Sequence, residues 1–321
     1  MVARGSFESR ALLLPCIWKK LPAAGSVGMG IMMEKKKYLG IVCIITSAFF
    51  FALMNVFVRL SGELPSVQKS FFRNLVAMVF AWVLLKKDGS WFSGKKENVK
   101  YLFVRAAAGT IGILCNFYAV DHLVLADASM LNKMSPFFAI VFSFFLLKEK
   151  ITIPQIVFVA GAFLGSLLII RPTAAIFQSP EALVGLAGGL TAGLAYTCVR
   201  VLGQRGEKGA FVVFVFSAFS CLATLPWLLF QYHPMTALQL IYLLLAGLSA
   251  AGGQFSITAA YFHAPAREIS VYDYSQIVFS AVLGFFLFGQ IPDVLSWLGY
   301  GVICTMAVLM FFYQKSKGYN K

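Results

Sequence analysis

Charged side chains are scarce in this chain. Asp, Glu, Lys and Arg make up 12% of its 321 residues, whereas 60% are hydrophobic and 15% are aromatic. Soluble domains carry roughly twice that share of charged residues. The composition therefore excludes an ordinary soluble domain.

Reactive and metal-binding side chains are also few. The chain has three histidines, and its six cysteines stand singly, without a Cys-x-x-Cys spacing. Cysteines that stand singly predict neither a disulfide framework nor a zinc site. The chain also lacks a His-Glu-x-x-His motif, a Gly-x-Ser-x-Gly elbow and a Gly-rich phosphate loop. We therefore expect no enzyme activity, no cofactor and no metal.

Long apolar runs, in contrast, fill almost the whole chain. A run of about 20 apolar residues crosses the hydrocarbon core of a bilayer, and inside lipid it must be helical to satisfy its backbone. The sequence predicts an all-α polytopic membrane protein with ten transmembrane helices. The predicted spans are 39–60, 70–85, 101–120, 123–147, 151–170, 182–199, 211–230, 238–262, 269–288 and 294–313.

Basic residues fall mainly on alternate connectors, such as "KKDGSWFSGKKENVK" and "KEK". Because loops rich in Lys and Arg remain cytoplasmic, both termini are predicted to be cytoplasmic, in a multi-pass protein of the plasma membrane. This topology explains the net charge of +14 without a nucleic-acid partner. The expected partners are membrane lipid and a small organic solute, and the sequence does not indicate an oligomeric state.

The chain ends lie outside the predicted bundle. Residues 1–37 form a basic segment whose apolar patch, "ALLLPCIW", is broken by Pro15 and is too short to span a membrane. We interpret it as a disordered cytoplasmic leader or as a mis-called start, with translation beginning at Met32 or Met33. Residues 315–321 are expected to form a cytoplasmic tail.

The ten spans divide into two halves, 38–171 and 181–314. Because five is odd, the second half enters the membrane from the opposite face, which predicts two inverted five-helix repeats with a site between them. An offset of 140 residues pairs Ser135 with Ser275 and other positions likewise.

The fourth span ends in "SPFFAIVFSFFLLKEKI", with Pro136 early in the span and Glu149 just after it. Together with the two five-helix halves, this stretch resembles the EamA branch of the drug/metabolite transporter superfamily, over about residues 38–314. The second half departs from the pattern, with Gly289 where a glutamate would stand. The resemblance implies a ten-helix carrier for small organic solutes that works by alternating access, often as an exporter driven by a proton or solute gradient.

Lys133 is the most unusual residue of the predicted spans. Seven residues beyond Ala126, it lies roughly 10 Å along its helix, too deep to reach the interface easily. A buried ionisable group of this kind needs a partner or a cavity. The 140-residue offset places Asp273 at the equivalent position. Lys133 would receive an acidic group of the substrate and Asp273 an amino group or a coupling proton; alternatively, they form a structural ion pair.

Further polar residues lie inside the predicted spans. Arg73 and Arg105 either extend to the membrane interface or provide anion-binding groups in a cavity. Polar side chains on apolar walls are typical of ligand sites. The remaining candidate ligands are Asn55, Asn116, Asn132, Gln254, Tyr272, Tyr274 and Gln276.

The sequence thus predicts a secondary transporter that moves an amino acid or related solute, with export as the first expectation. Uptake of an organic anion is the alternative within the carrier class. A channel or pore is the alternative from a different class, although no connector is long enough to build a selectivity filter.

Overall fold

The computed structural model describes residues 26–89, 94–123, 130–172, 179–289 and 291–319. Within these ranges the regular structure is helical, and a short 3-10 turn at Lys96–Asn98 precedes the third helix. The helices are α1 (Ser26–Leu60), α2 (Ser66–Lys87), α3 (Val99–His122), α4 (Ser135–Leu147), α5 (Ile153–Ile170), α6 (Pro180–Gln204), α7 (Gly209–Phe230), α8 (Ala237–His263), α9 (Ala266–Asp273), α10 (Ser275–Phe288) and α11 (Val294–Tyr319).

The first helix begins earlier than the sequence predicts. α1 starts at Ser26, inside the stretch expected to be a leader, whereas the first span was expected to begin near residue 39. Residues 1–25 of that leader lie outside the described residues. At the other end, α11 continues to Tyr319, into the predicted tail.

Length and composition make the protein an integral, multi-pass membrane protein. In the described ranges, eight helical segments are long and apolar enough to cross a membrane. Large apolar side chains cover their outer faces, including Phe145, Phe286 and Leu229, each more than two thirds exposed. Apolar surface on this scale is stable against lipid but not against water. The two other long helices, α2 and α3, carry the buried Arg73 and Arg105.

Helix ends are closed by side chains where the chain turns. At the start of α8, the Thr236 hydroxyl accepts from the Gln239 amide at 3.2 Å, and the Gln239 side chain accepts from the Thr236 amide at 2.9 Å. This capping box satisfies amides that the first helical turn leaves without partners. α4 and α10 both end in a left-handed residue, Lys148 and Gly289.

The fourth and ninth predicted spans are broken rather than continuous. In Met130–Leu147, a turn at Lys133 and Met134 separates a short helical segment from α4, and in Ala266–Phe288 the break is at Tyr274. Pro136 fits only the first turn of α4 because it lacks an amide hydrogen. At the second break, the Ser275 hydroxyl donates to the Tyr272 carbonyl at 2.6 Å. Both spans are therefore helical but interrupted at these two places.

The helices of the first half pack mainly on those of the second. α2 lies along α7 and α8, α3 along α6, α5 along α11, and α4 against α6 and α9. α1 contacts α8, where the Ser47 hydroxyl donates to the Gly253 carbonyl at 3.0 Å. The core therefore lies between the halves rather than within each of them.

α6 approaches the first broken segment without side chains in between. A Cβ added at Gly189 would lie 2.5 Å from the carbonyl oxygen of Leu131, too close for the backbone to accommodate. Small residues allow helices in membranes to approach this closely. The contact fixes the turn that carries Asn132 and Lys133.

We expect Gly189→Ala to destabilise the protein by about 1–3 kcal/mol, because the new methyl group meets backbone. The measurement is thermal unfolding of the purified protein in detergent. The matched control is Gly301→Ala, where an added Cβ meets nothing within 4 Å. Equal stability of both variants would show that the contact between Gly189 and the Leu131 carbonyl leaves room for a methyl group.

Candidate functional site

A central cavity of about 1280 Å³ lies between the helices of the two halves. At one end it reaches the α1–α2 connector, Gly62–Pro65, and His233 after α7; we call this end the mouth. Its deeper walls come from α1, α2, α3, α6, α7, α8 and α10 together with the turn at Lys133. The volume is large enough for a small organic solute.

The structure brings most of the predicted site residues to this cavity. Those that line it are Asn55, Arg73, Asn116, Asn132, Lys133, Gln254 and Gln276. Tyr272, Tyr274 and Asp273 are not among the lining residues. Tyr274 is fully buried and Tyr272 is 5% exposed, so neither phenol ring presents a surface to a solute.

Lys133 and Asp273 form an ion pair inside the protein. The Lys133 Nζ lies 3.3 Å from Asp273 Oδ2 and donates to Gln276 Oε1 at 2.7 Å; the two charged side chains are 12% and 14% exposed. The Tyr274 hydroxyl donates to the Lys133 carbonyl at 2.9 Å, where the helix break leaves that carbonyl free. The two broken segments are therefore joined at their turns by side-chain and backbone contacts.

The amides beside this pair are also ordered. Asn132 Nδ2 donates to Asn116 Oδ1 at 2.7 Å, which ties the first break to α3. Asn55, on α1, is an exposed residue that lines the same cavity. The Lys133 end of the cavity therefore offers amide groups beside a compensated charge pair.

Arg73 and Arg105 do not extend to the membrane interface. They are 8% and 2% exposed, and both line the cavity. Arg105 Nη2 donates to Gln254 Oε1 at 3.1 Å, and its guanidinium lies 4.1 Å from the centre of the Phe216 ring. Tyr196 also lines the cavity.

The end of the molecule away from the mouth is closed by a polar network, which we call the sealed end. Arg200 Nε lies 3.4 Å from Glu149 Oε1, and Arg200 Nη1 donates to the carbonyls of Tyr261 and Phe262 at 3.2 and 3.1 Å. The Tyr261 ring stacks on Tyr196 with centroids 5.3 Å apart. These contacts join the connector after α4 to α6 and α8.

The orientation of α5 shows that the mouth and the sealed end are opposite. Ile170, the last residue of α5, lines the cavity, whereas Glu149 precedes the first turn of that helix. An 18-residue helix is roughly 27 Å long, close to the thickness of the hydrocarbon core. Burial raises the pKa of Glu149, and Arg200 and Arg267 partly offset this rise.

Outside the spans, the mouth has its own polar contacts. The Arg171 guanidinium pairs with Asp293, between the ends of α5 and α11. Hydrogen bonds from Arg171 and Ser296 hold the pKa of Asp293 well below its usual range. Gln68 Nε2 donates to the His233 carbonyl at 2.9 Å, which links α2 to the connector after α7.

Several residues of the site were not predicted from the sequence. Glu63, His233 and Phe216 line the cavity, and Arg200 closes the sealed end. Arg200 lies in the last turns of α6, next to a basic connector, and its charge resembles the many charges that set topology. Among the described residues, no group of three or more His, Cys, Asp and Glu is placed to hold a metal ion.

A polytopic helical protein with a polar cavity between two packed halves is built like a membrane transporter. The chain belongs to the EamA-like transporter family, which matches it twice, over residues 38–171 and residues 179–312. The two matches cover the halves that meet at the Lys133–Asp273 pair.

Individual relatives agree with this assignment. The chain is 33% identical over 274 residues to the pseudopaline exporter CntI of Pseudomonas aeruginosa, covering 84% of this chain and 94% of the relative. It is 27% identical over 266 residues to the riboflavin transporter of Brucella anthropi, covering 79% and 91%. A solved crystal structure superposes with a TM-score of 0.74 at 14% identity, covering 86% of this chain and 98% of the other, which supports the fold.

Proposed function

We propose that this protein is a secondary transporter that exports a small organic metabolite by alternating access. The observation that carries the proposal is the cavity itself, which reaches the mouth at one end and is closed at the other by Glu149, Arg200 and the α8 carbonyls. Alternating access requires one central site with one end open at a time, and the described conformation fits the state that opens at the mouth.

The proposed architecture is ten transmembrane helices in two inverted repeats, 38–171 and 181–314. α2 and α3 would cross the membrane with the eight apolar segments, their charges facing the cavity instead of lipid. Two observations support the repeat. The helix breaks precede α4 at Ser135 and α10 at Ser275, 140 residues apart. Each of the pairs α2–α7 and α5–α11 joins a span to its own repeat mate, as a two-fold axis between the halves requires.

The proposed topology places both termini in the cytoplasm and the mouth outside, in the plasma membrane. The sealed end carries Arg200 in the last turns of α6, Arg205 and Lys208 on the connector that follows, and Lys148 and Lys150 on the connector after α4. Such basic connectors remain cytoplasmic. The described conformation would then be the outward-facing state.

Lys133 and Asp273 are the proposed centre of the transport cycle. Their contact joins the two halves through the turns of both broken helices, so a rearrangement of the halves must alter it. A carboxylic group of a substrate would compete for Lys133, and Asp273 would then accept an amino group or a coupling proton. Broken helices that carry the site are typical of secondary transporters.

Export is preferred to uptake because one relative with 33% identity is described as an exporter, the pseudopaline exporter CntI. The riboflavin transporter shows that related chains carry other solutes, so the substrate does not follow from the family. Organic-anion uptake is the second candidate, favoured by the basic residues of the cavity.

The test is solute exchange by purified protein in liposomes loaded with labelled metabolites. We expect flux of the substrate that saturates and is accelerated by unlabelled substrate on the far side, because a carrier returns faster when loaded. Protein-free liposomes are the control. Flux that rises linearly with concentration, at rates far above about 1,000 per second, would indicate a channel instead.

A further inference from the structure

The cavity carries far more basic than acidic side chains. Five basic residues line it, Arg59, Lys69, Arg73, Arg105 and Lys133, whereas Glu63 is the acidic lining residue within the described part of the chain. Asp273 compensates Lys133 from behind the wall. Deep in the cavity, the excess of positive charge therefore lies on Arg73 and Arg105, which are both buried.

Neither buried arginine is paired with a carboxylate in the part of the chain that the structure describes. Arg73 is 8% and Arg105 is 2% exposed, and the Nε of each is buried without a protein hydrogen-bond partner there. A buried charge is normally paired, because removal from water is costly. Two guanidinium groups without a carboxylate partner on one cavity are therefore suited to bind an anionic ligand reversibly.

The Arg105 guanidinium is held in a fixed position by its neighbours. Phe216 supports the face of the Arg105 guanidinium at 4.1 Å, and Gln254 accepts from one of its terminal nitrogens at 3.1 Å. A guanidinium fixed in this way presents its remaining N–H groups as a planar fork that matches oxygen anions. Arg73, seven residues into α2 from Ser66, lies roughly 10 Å below the mouth end of its helix.

We infer that the transported solute is an organic dianion, whose negatively charged oxygens bind Arg73 and Arg105. The inference rests on the proposed carrier function and narrows its substrate class. The shared chemistry is two negative charges on oxygen, as in a dicarboxylate or a phosphate monoester. Lys133 and the amides Asn116 and Asn132 would contact the remainder of the molecule.

The test compares binding with stability in the purified protein in detergent. The probes are glutarate, a dicarboxylate; glycerol 3-phosphate, a phosphate monoester; and glutaramide, the neutral analogue of glutarate, all at equal ionic strength. We expect at least one dianion to raise the Tm of the wild-type protein in a saturable way and glutaramide to have no effect. A rise in Tm with glutarate indicates a dicarboxylate substrate, whereas a rise with glycerol 3-phosphate indicates a phosphate monoester.

The variants are Arg73→Gln and Arg105→Gln, with Arg171→Gln as the control that removes an exposed arginine outside the cavity. We expect each cavity variant to weaken the dianion response at least about tenfold in half-saturating concentration. We also expect Arg73→Gln to raise the Tm without ligand by about 2–4 °C, because it removes an uncompensated buried charge. A purely structural arginine would instead lower that Tm.

The outcomes separate this inference from the carrier function. No dianion response in the wild type, or an equal response in the Arg73 and Arg105 variants, overturns the dianion site even if neutral solutes are exchanged by liposomes. A dianion response that depends on both arginines supports the site, even if no flux is measured and the carrier function fails.

Discussion

Replacing Lys133 by Met is expected to abolish solute exchange in liposomes, to below about 1% of the wild-type rate. The substitution keeps most of the length of the side chain but leaves Asp273 buried without its partner at 3.3 Å. Leaving one member of a buried pair uncompensated costs about 3–5 kcal/mol. Since the pair joins the turns of both broken helices, the cavity wall loses the contact on which the proposed rearrangement depends.

A double variant separates transport from folding. In Lys133→Gln combined with Asp273→Asn, both charges are removed, so we expect thermal stability near that of the wild type while exchange remains lost. Size-exclusion chromatography and thermal unfolding in detergent check that each variant is folded. Wild-type exchange by the double variant would make the pair a structural element only.

The second large effect is expected at the sealed end. Replacing Arg200 by Gln removes the contact to Glu149 and the donors to the Tyr261 and Phe262 carbonyls. The natural reporter is Cys198, two residues earlier on α6 and 1% exposed. In a chain whose other cysteines are replaced, we expect a membrane-impermeant maleimide to label Cys198 at least about tenfold faster in the variant, which corresponds to a shift of roughly 1.4 kcal/mol.

Arg205→Gln is the matched control for this effect. Arg205 caps the same helix but is exposed and stacks on Tyr101 at 4.5 Å, outside the Glu149 contact. Exposed charge contacts contribute little, so the control should label at the wild-type rate. Equal acceleration in both variants would mean that any loss of charge at the end of α6 loosens the helix.

The charge of the inferred solute agrees with export. The inside-negative membrane potential favours movement of an anion out of the cell, by about 2.3 kcal/mol per charge at 100 mV. A dianion would gain twice this amount if its charges cross uncompensated. Accumulation of the same solute inside the cell would need a coupled cation. In the proposed cycle this cation is a proton, and Asp273 carries it.

The helical fold and the position of most helices could be predicted from the sequence because the apolar runs are long and the connectors short. The breaks at Met134 and Tyr274 could not, because the hydropathy of a run does not report which backbone hydrogen bonds are missing. Pro136 marked the first break only indirectly, since proline also occurs at the start of ordinary helices.

The candidate site was predictable where a charge was out of place. Lys133 was conspicuous inside an apolar run, and the 140-residue offset led to Asp273, which the structure places in contact with it. Arg200 was not conspicuous, because a basic residue at a helix end also serves topology. Whether Arg73 and Arg105 face lipid or a cavity depends on the rotation of α2 and α3, which only the packed structure defines.

Alternating access is tested by labelling both ends of the cavity in the Arg200→Gln protein. Ser280→Cys, on the α10 wall, reports the mouth, and Cys198 reports the sealed end, each as the single cysteine of its chain. We expect reciprocal changes: as Cys198 becomes reactive from its side, the cysteine at position 280 becomes protected from the other. Simultaneous reactivity of both cysteines from opposite sides would contradict it and indicate a continuous pore.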